Sequence, residues 1–294
     1  LRYAKYDADG NDISDTYATK SDISNPNLII NPDFKINQRN RSGGASAGYC
    51  RDRWFSSSTN IQFYDDYVLF FTPGSTSVYL IQYIEKSLLP SGNYVLSIMC
   101  GSSDKSMTLQ ESSFVMKADY SKDTSILSMR LGIANARCTV EYDVDKDCFA
   151  VSIIANGANL YVKYIKLEIG DTATKFIPPD PIVELAKCQR YFVRYSGNGS
   201  FVGVGFSSST TVSLIEIALP VTMRTQPTVT LVGVYLSSAN HFSTSAKSVS
   251  YFQNDAFTGN MLKFEVSATG LTKGETNFLQ IRSDSGYIDV DAEL

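Results

Sequence analysis

Through most of the chain, apolar and polar residues alternate over short stretches that clusters of Gly, Pro, Ser and Asn interrupt. The alternation predicts strands over Tyr67–Thr72, Ser77–Ile84, Tyr94–Cys100, Ser125–Ala134, Phe149–Ile154 and Leu160–Ile169. Polar turns separate them at Pro73-Gly74-Ser75, Pro90-Ser91-Gly92-Asn93 and Asn156-Gly157-Ala158-Asn159. A proline-rich joint follows, Phe176-Ile177-Pro178-Pro179-Asp180-Pro181. Asp180 suits a helix N-cap and Pro181 the first helical position, which predicts a short helix over Ile182–Cys188. A second strand-rich region opens at Gln189, with strands expected at Arg190–Tyr195, Val202–Phe206, Thr211–Leu219, Thr228–Val234, Ser248–Phe252, Leu262–Ala268, Phe278–Ser283 and Tyr287–Val290. Strands joined by short turns, with little helix between them, fold as antiparallel sheets. The expectation is an all-β chain of two antiparallel, jelly-roll-like β-sandwich domains, 27–180 and 181–294. Residues 1–26 hold too few apolar side chains for a core and are expected to form a short stalk. Tyr3, Tyr6, Ile13, Tyr17 and Ile23 in that stalk need another chain or domain to bury them.

Composition supports sheet. Of 294 residues, 43% are hydrophobic and 12% aromatic, with 18 Tyr, 16 Phe and a single Trp. Such side chains fit a half-buried pleated surface and are too many for a disordered chain. The apolar runs fall far short of the roughly 20 residues of a membrane-spanning helix, so no membrane insertion is expected. Lys and Arg total 26 against 30 Asp and Glu, a net charge of −4. Without a basic surplus there is no footprint for nucleic acid. The five cysteines lie far apart, with no Cys-x-x-Cys, and are read as reduced core residues with room for one pair at most.

The motifs that carry chemistry mostly lack their structural context. Gly44-Ala45-Ser46-Ala47-Gly48 has the letters of a hydrolase elbow, but a strand before the serine and a helix after it are not expected. The prediction there is a flexible loop. His241 is the sole histidine, which excludes a metal site with two histidines in one chain. Asp143-Val144-Asp145-Lys146-Asp147 and Asp7-Ala8-Asp9-Gly10-Asn11-Asp12 alternate carboxylates as calcium loops do, but the first has Cys148 in place of the required glycine and Ile154 in place of the closing glutamate, the second has its glycine one position early, and hairpin turns are expected instead. Gly203-Val204-Gly205 lacks the third glycine of a dinucleotide site and reads as a strand under close backbone packing. Asn198-Gly199-Ser200 reads as a turn. No cofactor and no metal are expected. The positive signal is aromatic residues beside amides on expected loops of the second domain, where a sugar finds both a stacking face and paired donors and acceptors. Tyr195, Asn198, Tyr235, Asn240, His241 and Phe242 are the carbohydrate-binding candidates.

A set of landmarks adds a resemblance. The run Asn27-Leu28-Ile29-Ile30-Asn31-Pro32-Asp33-Phe34-Lys35-Ile36-Asn37-Gln38-Arg39 is followed by Asp52-Arg53-Trp54. Leu167-Glu168-Ile169-Gly170 and Phe176-Ile177-Pro178 come next, then Cys188 to Phe192 and Leu219 to Pro227. In this order the landmarks resemble domains of bacteriophage tail-fibre proteins, and Tyr17-Ala18-Thr19-Lys20 resembles the segment that joins such domains to a fibre shaft. The resemblance implies a virion protein, usually a homotrimer, attached to other tail proteins through its N-terminus and binding host cell-surface polysaccharide. It implies adhesion rather than catalysis; a glycan depolymerase or esterase, and a purely structural baseplate or head-fibre component, are the alternatives. Asn31, Phe34, Gln38, Arg39, Asp52, Arg53 and Trp54 are read as structural, with Trp54 a core anchor needing one N–H partner and Asp52 with Arg53 a local pair that fixes where a strand begins.

Overall fold

The structure, a computed structural model, describes residues 24–72, 76–89, 92–103, 114–118, 127–131, 133, 135–143, 145–157, 159–238, 244–245, 248–251, 257–258 and 260–294. The chain divides into two compact units between Asp180 and Pro181. Every strand pairing among the described residues is antiparallel, and the fold is all-β, with one α-helix among those residues.

The first unit contains β1 (Gly48–Arg51), β2 (Trp54–Ser56), β3 (Ile61–Phe63), β4 (Val68–Phe70), β5 (Ser77–Glu85), β6 (Gly92–Gly101), β7 (Phe114–Ala118), β8 (Leu127–Arg130), β9 (Arg137–Asp143), β10 (Cys148–Asn156) and β11 (Leu160–Ile169). They form a sheet in the order β1-β2-β5-β10-β9-β8 and another in the order β3-β4-β11-β6-β7. Between the two lies one core: Val78, Leu80 and Ile84 of β5 alternate inward, as do Phe149, Val151 and Ile153 of β10 and Leu96 and Ile98 of β6. The strands β1, β2 and β3, of three or four residues, are too short to display a period and are not anticipated; β7 and the seven-residue β9 are not anticipated either.

The landmark run before β1 closes this sandwich. Leu28 N–H donates to the Leu167 carbonyl at 2.8 Å and Ile165 N–H to the Pro32 carbonyl at 3.1 Å, so the segment takes over the edge of β11 that β4 leaves at Val162. Buried Gln82, pointing inward from β5, exchanges two bonds with the Ile30 backbone at 2.8 and 2.7 Å, tying the segment to the other sheet. Asn31 then turns the chain with φ +54°, a left-handed value that asparagine tolerates better than most residues. Its side-chain amide donates to the carbonyls of Ile36 (3.0 Å) and Asp52 (3.1 Å) and accepts from Ile36 N–H (2.9 Å). The indole N–H of Trp54, fully buried, donates to the Asn31 carbonyl at 2.8 Å, which supplies the expected partner. Phe34 packs on Trp54 with ring centroids 5.0 Å apart. Asp52 accepts from the backbone and side-chain N–H of Gln38 at 2.6 and 3.0 Å, while buried Arg53 donates to the Tyr83 carbonyl and Arg39 lies over the Tyr49 ring. These residues are framework. The loop at Gly44, expected to be flexible, is instead pinned by Gly44 N–H to the Ile61 carbonyl at 2.8 Å, and Gly48 leads into a strand, not a helix.

The second unit starts with α1 (Pro181–Gln189), one residue longer at each end than expected. Its strands are β12 (Phe192–Ser196), β13 (Phe201–Ser207), β14 (Val212–Ala218), β15 (Thr228–Val232), β16 (Val234–Ser237), β17 (Thr244–Ser245), β18 (Ser248–Tyr251), β19 (Phe257–Thr258), β20 (Met261–Ser267), β21 (Thr276–Ile281) and β22 (Tyr287–Asp291). One sheet runs β12-β22-β15 and a larger one β17-β16-β21-β13-β14-β20-β18, with β19 also on β20. Val193, Ile288 and Val290 of the small sheet share a core with Ile215, Leu262, Phe264 and Leu279 of the large one. The landmarks again join chain ends: Arg224 donates to the Ala292 carbonyl at 3.0 Å and to the Glu293 carbonyl at 3.2 Å. Gly205 is required by close approach, since a Cβ there would lie 1.7 Å from the Leu214 carbonyl oxygen. Residues 1–23, most of the expected stalk, lie outside the described residues, whereas Ser24 and Asn25 are bonded into the first unit.

All five cysteines are buried and free, as reduced core residues. Burial pushes the Cys50 thiol up to about 12, those of Cys100 and Cys148 to about 11, and raises Cys138 as well. The thiolate is the reactive form, so the folded chain at pH 8 is expected to react only slowly with a thiol reagent at these positions and to yield five thiols per chain once denatured without reductant; three or fewer would reveal disulfides. A second expectation concerns the turn. Asn31→Ala removes three side-chain bonds from a buried site and is expected to cost on the order of 3 kcal/mol. Urea unfolding followed by the fluorescence of the single tryptophan reads this directly, and an unchanged midpoint would contradict it.

Candidate functional site

The outer face of the five-stranded sheet carries a groove. Along β11, Leu160, Val162, Ile165 and Leu167 face the core. Strict alternation would place Tyr161 and Tyr164, three residues apart, on opposite faces. The register with β6 shifts between Val162 and Tyr164, a β-bulge that adds Lys163 and brings both tyrosines to the outer face. The residues after β11 run back over that face, and the ring of Phe176 stacks on Tyr164 with centroids 3.9 Å apart and planes 6° from parallel. Beside this pair is a groove of about 170 Å³ lined by Asp33, Lys35, Asp66, Lys163, Tyr164, Phe176 and Pro178.

The charged lining residues come from three local devices. Asp33 and Lys35 flank Phe34, whose buried ring directs its neighbours outward, and their side chains pair at 3.4 Å. Asp66 sits in the tight turn between β3 and β4, closed by Tyr64 N–H to the Tyr67 carbonyl at 2.9 Å. Lys163 is the bulge residue itself. Both Asp66 and Lys163 are exposed and have no ion-pair or hydrogen-bond partner among the described residues. Next to the groove, Tyr64, Tyr67 and Tyr161 form a continuous aromatic row, with centroid separations of 4.7 Å and 5.3 Å. The arrangement offers flat apolar faces flanked by charged donors and acceptors at the edge, the chemistry that holds a polyhydroxylated ring.

The candidates named from sequence on the second unit are placed differently. Tyr195 is half-buried against the second core and donates its hydroxyl to the Ala218 carbonyl at 2.7 Å. Burial pushes its phenol up to about 12. Asn198 is exposed and donates to Asp284 at 3.0 Å. Tyr235 lies on β16, whose Val234 and Leu236 point into the core, so its ring faces the other side, in register with Gln280 and through it with Phe201. Asn240, His241 and Phe242 lie outside the described residues. The groove residues on the first unit are not among the sequence candidates, because the bulge and the return of Phe176 over β11 are tertiary facts.

No match emerges when the chain is compared with models of known protein families, nor when it is compared with curated proteins. The tail-fibre resemblance therefore rests on the landmark runs alone. Among the described residues no group of three or more His, Cys, Asp or Glu is gathered as a metal site would need, and no helix is long and apolar enough to cross a membrane.

Tyr195→Phe is expected to cost about 1 kcal/mol of stability through the lost hydroxyl bond. The same variant should bind as the parent does. Thermal unfolding together with a glycan-binding assay separates the two effects; intact stability with lost binding would put Tyr195 at a binding surface.

Proposed function

We propose that the chain is the receptor-binding part of a bacteriophage tail fibre and that the groove on its first unit holds a host-surface glycan. The observation that carries this reading is the stacked Tyr164–Phe176 pair set among Asp33, Lys35, Asp66 and Lys163. A pyranose presents a C–H face to an aromatic ring and hydroxyls around its edge, which carboxylates accept and ammonium groups donate to. The row Tyr64–Tyr67–Tyr161 extends the platform beyond one ring, as a polysaccharide requires.

Self-association belongs to the same reading. On the outer face of the large sheet of the second unit, Phe201, Val204, Phe206 and Phe278 are between 41% and 63% exposed. Exposed apolar side chains grouped on one sheet face favour contact with another protein surface, and a homotrimer gives them one. Linked copies of a weak site raise avidity by roughly 10²–10⁴ without any new contact.

The test is an array of bacterial surface polysaccharides probed with the full chain, then with Tyr164→Ala and Tyr235→Ala. Loss of an aromatic platform costs on the order of 1–3 kcal/mol, so Tyr164→Ala is expected to weaken binding about tenfold or more at unchanged melting temperature. A loss confined to Tyr235→Ala would move recognition to the second unit. Light scattering is expected to give three times the 32.4 kDa chain mass; a monomer at micromolar concentration would remove the trimer. The groove also holds two carboxylates, the inventory of glycoside hydrolysis, so release of reducing ends from a bound polysaccharide would replace adhesion by catalysis.

A further inference from the structure

The outgoing segment that supplies Phe176 has no helix or strand of its own between Gly170 and Asp180. Its backbone polar groups need other partners, and they find them in an ion pair. Lys166 and Glu168, two residues apart on β11, point to the outer face with side chains 2% and 0% exposed, and meet at 3.1 Å. The Lys166 ammonium also donates to the Thr174 hydroxyl at 2.6 Å, the Thr174 carbonyl at 3.2 Å and the Lys175 carbonyl at 3.1 Å. Glu168 accepts from Thr174 N–H at 2.8 Å and from the Thr174 hydroxyl. The incoming segment shares the cluster: Ser24 Oγ accepts from Lys166 at 3.3 Å, and Asn25 N–H donates to Thr174 Oγ1 at 3.0 Å.

A buried ion pair gives little stability over a well-packed apolar pair of the same size. What this one supplies is direction. Hydrophobic side chains at these positions would cover the sheet equally well but would leave the Thr174 and Lys175 backbone without fixed partners. Held as it is, Thr174 lies two residues before Phe176 and so fixes the backbone that carries that ring over Tyr164.

We propose that Lys166, Glu168 and Thr174 are the positioning residues of the groove: they hold the outgoing segment so that Phe176 stacks on Tyr164 and forms the groove wall. The proposal rests on the reading of that groove as the binding site.

The experiment uses the full chain with ring-labelled phenylalanine, comparing Thr174→Val, the double variant Lys166→Met with Glu168→Leu, and the conservative Thr174→Ser. The double variant removes both charges together and leaves none buried alone. The Phe176 ring signals report stacking on Tyr164, the single indole N–H signal of Trp54 reports the sandwich, and the polysaccharide array reports binding. Thr174→Val and the double variant are expected to move the Phe176 signals toward those of an unstacked ring and to weaken array binding about tenfold, the effect of one lost aromatic contact, with the Trp54 signal unmoved. Thr174→Ser is expected to preserve all three. Unmoved Phe176 signals in both variants would overturn the proposal, as would full binding in both when Tyr164→Ala has lost it. A Trp54 signal displaced in both would make the cluster part of the core fold and would equally overturn it. If Tyr164→Ala itself binds normally, the groove reading fails and the positioning role falls with it.

Discussion

Strand β11 answers to two demands with one backbone, and the bulge at Lys163 is where they are reconciled. Its inner face must seat Leu160, Val162, Ile165 and Leu167 in the core, and burial of such side chains is worth roughly 1.5–3 kcal/mol each. Its outer face must present Tyr161, Lys163 and Tyr164 and then Lys166 and Glu168. With Lys163 in the chain, a strand of strict period two cannot do both, and the register shift that leaves Lys163 unpaired restores the parity. Without that shift, strict alternation from Val162 onward would turn Ile165 and Leu167 to solvent and Tyr164 and the ion pair into the core. The groove, the cluster beneath the outgoing segment and the edge paired with Leu28 and Pro32 all lie downstream of this single shift.

The second unit uses the same device. The register between β13 and β21 shifts between Phe201 and Gly203, so Phe201 and Val204, three residues apart, share the outer face with Phe206 and Phe278. Gly203 and Gly205 then lie close against β14, where side chains would collide with its backbone. In both units a bulge gathers aromatic residues on an outer face while the core keeps its alternation. The two surfaces differ in chemistry: charged groups border the first, whereas Phe201, Val204, Phe206 and Phe278 make the second mainly apolar. That difference is why one supports a reading of sugar binding and the other of chain association.

Much of the fold is legible in the sequence. The long strands at Ser77–Ile84, Phe149–Ile154 and Leu160–Ile169, the joint at Pro178–Pro181 and the helix after it follow from alternation, proline and capping. Trp54 as a buried anchor comes from the Asp52-Arg53-Trp54 landmark rather than from alternation. The Asn31 turn is not readable, because its meaning lies in bonds to Ile36 and Asp52, the latter 21 positions away. The groove is legible only in part. The core residues of β11 are spaced two, three and two apart, which marks a skipped position between Val162 and Ile165 and so hints at the bulge. Nothing local reveals that Phe176 returns to Tyr164, or that the Lys-x-Glu of Lys166 and Glu168 is buried rather than a solvated strand face. Aromatic residues beside amides point to the second unit, where the Tyr195 ring packs against the core and its hydroxyl donates to the exposed Ala218 carbonyl.

The central claim, that the aromatic groove of the first unit is where a glycan is held, is tested most directly by a crystal structure of the full chain with the oligosaccharide it binds best. The account predicts a sugar ring stacked against the Tyr164–Phe176 pair, its hydroxyls within hydrogen-bond distance of Asp66 and Lys163. A sugar seated on the second unit, with this groove left to water, would contradict it.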